Sequence, residues 1–190
     1  MASPALAFAR RTRQNGAMIT RDFLKGDARS SASYSDCERY RYSLTRVWEP
    51  AGRKALFVML NPSTATERQN DPTVERCERR ARALGFGAFR VTNIFAWRAT
   101  DPRQMRAADD PVGPDNDRAI LEGADWADTI ICAWGTHGAH LDRGPEVEAL
   151  LRAHLAGRGA PLFHLGLTKA GHPKHPLYIA YAQQPEAWLP

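Results

Sequence analysis

Four short apolar runs, each closed by turn-forming or polar residues, set the layout of this chain. Ala55 to Leu60, Phe89 to Phe95, Asp128 to Trp134 and Pro161 to Leu167 follow the pattern of strands buried on both faces. Ahead of them Tyr40, Tyr42, Leu44 and Trp48 alternate with polar residues, which predicts a half-buried strand. Glu49-Pro50-Ala51-Gly52 then predicts a turn returning into Ala55–Leu60 as an antiparallel hairpin. Helical spacing appears between the runs. Asp71-Pro72 reads as an N-cap followed by proline at the first helical position. Val74, Cys77, Ala81 and Leu84 fall on one face, and Gly85 ends the segment. A polar loop over residues 100–116 contains Pro102, Pro111 and Pro114. A short helix follows near Asn116–Gly123. A second amphipathic helix spans Pro145–Leu155, with Val147, Leu150, Leu151 and Leu155 as its apolar side.

The order β-β-α-β-α-β-α-β predicts an α/β fold: a three-layer sandwich around a mostly parallel sheet of four or five strands, with the first hairpin as an antiparallel edge. Residues 1–30 lack apolar periodicity and are read as a flexible basic N-terminal extension; residues 31–190 are read as a single α/β domain. The Arg-rich, acid-poor start also has the pattern of a transit peptide, and Met18 is an alternative first residue to Met1.

Composition narrows the classes. With 43% hydrophobic and 25% charged residues, the chain has an ordinary soluble make-up, and no run approaches the length of a membrane span. Cys37, Cys77 and Cys132 form no CxxC pair, so reduced thiols and a cytoplasmic location are expected. The net charge of +5 permits an anionic partner. Neither membrane association nor a stable oligomer is expected; a monomer is.

Polar residues gather after the apolar runs, where a parallel sheet places its ligand site. Asn61-Pro62-Ser63-Thr64 follows the first. Asn93 and Phe95 close the second. Trp134-Gly135-Thr136-His137-Gly138 follows the third, and Thr168 to Pro176 the fourth, with Lys169, His172, Lys174 and His175. His137/His140 and His172/His175 are spaced three apart, but Gly and Pro separate them and no thiolate adjoins them, so no metal and no cofactor are expected. No Walker loop, GxSxG elbow or GxGxxG follows a strand.

Most of the chain, from about Ser33 to Trp188, resembles a bacterial domain family of unknown function. The shared motifs are Arg41-Tyr42 with Leu44 and Arg46, Met59 to Ala65, Asp71 to Thr73, Asn93 to Pro102, Trp134-Gly135, and Leu165 to Tyr178. More distantly, the motif order is similar to that of the uracil-DNA glycosylase superfamily. There Leu60-Asn61-Pro62-Ser63 matches the first loop, Val91-Thr92-Asn93-Ile94 the second strand, and His175-Pro176-Leu177 the late His-Pro motif. The first motif carries leucine where those enzymes have glycine. No aromatic residue lies between Asn61 and Phe86, which leaves Phe95 or Trp97 as the ring to stack on a base.

The resemblance implies a glycosylase-like hydrolysis of an N-glycosidic bond, on a nucleobase in DNA or in a nucleotide. In that reading Asn61 holds a water and His175 donates to the departing base. Pro62, Ser63, Thr64, Asn93, Phe95, Gly135, Thr168 and His172 bind substrate, and Arg98, Lys169 and Lys174 hold a nucleic-acid backbone. The rival expectation is a non-catalytic module of the same fold that binds a nucleotide, a nucleic acid or a nucleobase-derived small molecule.

Overall fold

The computed structural model describes residues 18–189. One eight-stranded sheet runs through it: β1 (Ile19–Lys25), β2 (Ala28–Tyr34), β3 (Arg41–Val47), β4 (Lys54–Met59), β5 (Ala88–Asn93), β6 (Thr129–Cys132), β7 (Leu162–His164) and β8 (Glu186–Trp188). The spatial order is β1-β2-β3-β5-β4-β6-β7-β8. Four helices accompany it: α1 (Pro72–Ala83), α2 (Pro102–Arg106), α3 (Asn116–Trp126) and α4 (Arg143–Leu155).

The central strand explains the layering. β4 buries alternate side chains on opposite faces: Ala55, Phe57 and Met59 join α1 residues Val74, Cys77 and Ala81. Leu56, Val58 and Leu60 join Ile120 and Ala124 of α3 and Val147, Leu151 and Leu155 of α4. A strand covered twice has no polar face, which is why its sequence is a continuous apolar run. Each fully buried leucine or phenylalanine in these layers contributes about 1.5–3 kcal/mol. α1 starts where the sequence predicts, with the Asp71 carboxylate accepting from Val74 N at 2.8 Å and Pro72 at its first turn.

The expected mostly parallel sheet of four or five strands is corrected to a mixed sheet of eight. Only β5-β4-β6-β7 run parallel; the other pairings, β1-β2, β2-β3, β3-β5 and β7-β8, are antiparallel. The expected edge hairpin of β3 with β4 is corrected as well, because β5 enters between them. Gly87 makes that entry possible. Its carbonyl accepts from both Trp48 N and Glu49 N, and a Cβ there would lie 2.3 Å from the Glu49 carbonyl oxygen. The actual hairpin is β1-β2. Residues 1–17 of the expected extension, with Arg10, Arg11 and Arg13, lie outside the described residues, whereas Ile19 to Ser30 belong to the sheet.

Four arginines, Arg41, Arg46, Arg80 and Arg143, are buried almost completely, and each donates to backbone carbonyls of a loop. Arg46 holds Ser30 Oγ at 2.6 Å, the Thr66 carbonyl at 2.7 Å and Asn70 Oδ1 at 3.1 Å. Arg41 holds the Ala65 carbonyl. A register shift in the β2–β3 ladder pairs Tyr34 with Arg41, skips Tyr42 and puts the Arg41 guanidinium against that loop. Arg143 donates to the Ile94 carbonyl at 2.9 Å and pairs with Glu146 and Asp117. Arg80 gathers carbonyls of residues 179–183.

Removing such a guanidinium strands its carbonyls without donors. Arg46→Leu is expected to destabilise the protein by roughly 3 kcal/mol. The exposed pair partner Arg79→Ala should change stability by no more than about 0.5 kcal/mol. Urea unfolding of the two variants checks the contrast.

Candidate functional site

Chain order makes the crevice. From β4 the chain passes through α1 to β5 on one side, then through α3 to β6 on the other. The loops leaving β4 and β6 therefore diverge to opposite faces of the sheet, and a cleft opens between them at the carboxyl edge. The loop from β4 carries Asn61 to Asn70. The loop from β6 carries Gly135, against which the segment after β7 lays His175: a Cβ at Gly135 would sit 3.3 Å from that of His175.

Asn61 and His175 line one cavity of about 320 Å³, together with Leu60, Ser63, Thr64, Asp71, Thr73, Ala99, Thr100 and Leu177. Both amide hydrogens of Asn61 are committed, to the Ala99 carbonyl at 2.8 Å and the Pro62 carbonyl at 3.1 Å. That assigns the amide orientation and leaves Oδ1 as an acceptor. His175 Nδ1 accepts from Leu177 N at 3.4 Å, which puts the ring proton on Nε2. Burial lowers the His175 pKa from the ordinary imidazole range, with nearby His137 adding to the shift and Asp71 opposing it. Asp71 accepts from two backbone amides, Val74 N at 2.8 Å and Ala65 N at 3.3 Å. The cavity thus offers one fixed acceptor, one neutral donor and an engaged carboxylate.

Beyond Ser63 and Thr64 the cavity continues into a polar cleft of about 400 Å³ lined by Arg98, Ala99, Thr100 and Gln104. The loop holding Arg98 is anchored through Arg98 N to the Arg39 carbonyl at 2.9 Å.

Of the residues read from sequence, Asn61, Ser63, Thr64 and His175 meet in the cavity, while Pro62 is buried beneath and accepts from Ala99 N. Gly135 backs His175. Arg98 stands at the polar end. Asn93 and Phe95 do not line the site. Asn93 is 1% exposed, its carbonyl accepting from Asn116 Nδ2, and Phe95 is packed in the α3–α4 layer against His140. Thr168 accepts from His172 N to close a turn, and His172 lines a separate hollow of about 170 Å³ with Trp134 and Trp188. Lys169 and Lys174 are exposed on the loop that carries His175. Thr73, Ala99, Thr100 and Gln104 are not singled out as site residues by the sequence, whereas Asn70-Asp71 continues the polar cluster that starts at Asn61. Asp71-Pro72 was legible as a helix start, and a helix start following a parallel strand belongs at this same edge.

Fold and site together define an α/β protein with an open cleft at the switch point of its parallel strands. Residues 41–177 match the family described as protein of unknown function (DUF1643), and the chain belongs to that family. No curated protein and no solved structure matches it. Among the described residues no helix is long and apolar enough to cross a membrane, and no cluster of three or more His, Cys, Asp or Glu side chains is placed to hold a metal ion.

Two outcomes follow from this geometry. Gly135 has φ +73° and ψ −173°, a region essentially reserved for glycine, so Gly135→Ala adds a backbone strain of about 1–3 kcal/mol. The added methyl also presses on His175, and ligand binding at the cavity should fall more than stability does, as titration and thermal melts of the same variant would measure. The second concerns pH. A histidine whose folded pKa lies below its unfolded value takes up its proton first in the unfolded chain, so stability falls as pH drops below about 6.5. Urea midpoints compared between about pH 7.5 and about pH 5.5 should vary less in His175→Gln than in the wild type. The remaining slope includes His164, whose pKa burial also lowers.

Proposed function

We propose that the cavity between Asn61 and His175 takes a nucleobase and that the protein hydrolyses an N-glycosidic bond, in DNA or in a nucleotide. The observation that carries this reading is the pairing of a fixed acceptor with a neutral donor in one cavity. Breaking such a bond needs a water held in line with the sugar carbon and a donor for the charge that develops on the departing base. Asn61 Oδ1, with its amide locked on Ala99 and Pro62, accepts a hydrogen bond from that water. His175 Nε2–H donates to the base. Because Nδ1 is already engaged by Leu177 N, the imidazole needs no rearrangement to do so. The motif order shared with the uracil-DNA glycosylase superfamily supports the same assignment of roles.

One observation favours the non-catalytic alternative, a module that only binds a nucleotide. Among the described residues no Phe, Tyr or Trp lines the cavity. A base here is held by edge hydrogen bonds and by Leu60 and Leu177 without a stacking platform.

Incubation with nucleosides, nucleotides and oligonucleotides carrying uracil, mispaired or modified bases, followed by chromatography for free base, separates the two. Hydrolysis predicts base release, with Asn61→Ala or His175→Gln lowering the rate by about 10²-fold. Tight binding without release, lost in both variants, leaves the binding module. If neither release nor binding occurs, or if both variants behave as wild type, the assignment is wrong.

A further inference from the structure

We infer that the polar cleft beside the cavity is a phosphate subsite and that the substrate class is a nucleoside 5′-monophosphate, free in solution, rather than duplex DNA. This rests on the reading of the Asn61–His175 cavity as the base pocket.

Three observations carry it. The first is continuity: cavity and cleft share Ser63, Thr64, Ala99 and Thr100, so one ligand can lie across both. The second is the charge at the far end. Arg98 enters no ion pair among the described residues. One Nη1 hydrogen goes to the Glu38 carbonyl at 3.1 Å, and the guanidinium lies 5.3 Å from the Tyr34 ring centroid. Its Nε is buried without a partner, and Nη2 makes no hydrogen bond to any described residue. A guanidinium held in place with donors to spare, beside the hydroxyls of Ser63, Thr64 and Thr100 and the Gln104 amide, matches the needs of a phosphate. Among the described residues no carboxylate lines this cleft. Asp71, the acid of the adjoining cavity, is engaged by two backbone amides at the base end.

The third observation concerns size. A duplex needs an extended basic face. Three of the 26 Lys and Arg, and none of the 21 acids, fall in residues 1–17, so residues 18–190 set 23 bases against 21 acids. Many of those bases are already spent internally. Arg46, Arg80 and Arg143 are buried against loops, and Arg82, Arg118 and Arg152 pair with acids on their own helices. Lys169 and Lys174 are exposed on the loop that carries His175 but line neither the cavity nor the cleft, so one positioned guanidinium is left to suit one phosphate.

The test is calorimetric titration of the full chain with the common nucleoside 5′-monophosphates, their parent nucleosides, inorganic phosphate and a twelve-base single strand (about that length suffices to span the cleft). At least one monophosphate should bind tenfold or more tighter than its nucleoside, and inorganic phosphate should compete with it. Gln104→Glu, at an exposed position, should abolish that preference. Arg106→Gln, an equal change of net charge at an exposed residue outside the cleft, should retain it. Equal affinity for nucleoside and monophosphate would overturn the phosphate subsite while leaving the base pocket standing. Binding of neither would overturn both. An oligonucleotide that binds tenfold tighter than any monophosphate, with affinity falling steeply in salt, would overturn the monophosphate class in favour of a polymer.

Discussion

The structure depends on buried guanidinium groups holding the backbone of its loops. A loop beside a sheet edge carries carbonyls that no ladder satisfies, and in a dry setting each unsatisfied carbonyl costs about 1–3 kcal/mol. Arg41 and Arg46 meet the carbonyls of Ala65 and Thr66, and so fix the loop that begins at Asn61. Arg143 meets the Ile94 carbonyl where β5 ends, and Arg80 gathers the chain after Tyr178. Burial pulls the Arg41 pKa down to about 10, against the opposing pull of Asp71, so the group stays cationic at neutral pH. The Ala65 carbonyl and the charge of Asp71 offset part of the hydration that the guanidinium loses.

That constraint matters at the switch point. β4 lies in the middle of the parallel set with its neighbours reached in opposite directions, so its outgoing loop faces the loop from β6 across an open gap. A gap gives room for a ligand but does not by itself position anything. Position comes from the carbonyl clamp under residues 65–66, from Asp71 capping α1 while accepting from Ala65 N, and from Ala99 fixing the Asn61 amide. His175 is held from the other side by Leu177 N and by contact with Gly135. The donor and the acceptor thus belong to segments more than a hundred residues apart in the chain, and each is fixed by its own local network.

What the chain discloses in advance follows from which forces are local. The alternation inside Ala55–Leu60, the Asp71-Pro72 cap and the turn residues after each apolar run act over a few positions, so the parallel strands, α1 and the meeting of Asn61 with His175 were legible. β1 and β2 were not. β1 is an edge strand whose side chains are largely exposed, and β2 buries Ala28, Ser30 and Ala32, small residues that carry little strand signature. The insertion of β5 between β3 and β4 is a long-range event that no local pattern discloses. Asn93 and Phe95 were read into the site because a continuous apolar run hides which face each residue takes. The buried arginines run against composition itself, since arginine is among the side chains least often buried.

That no Phe, Tyr or Trp among the described residues lines the cavity changes how a base would be recognised. Stacking on an aromatic side chain is worth about 1–3 kcal/mol per base and tolerates any base. Without it, affinity has to come from edge hydrogen bonds and from groups outside the base. Edge bonds to a rigid acceptor and a rigid donor are selective but individually modest, because each replaces a bond to water. In the proposed reading a charged anchor at the far end of the same cleft would supply the affinity that a Phe, Tyr or Trp platform does not, and it would act only on a ligand that carries its own phosphate. Arg98 has the position and the spare donors for that anchor, and the Asn61–His175 pair has the rigidity that selectivity requires. In the proposed reading the two ends of the cleft divide the work: the phosphate end would hold the ligand, and the base end would discriminate.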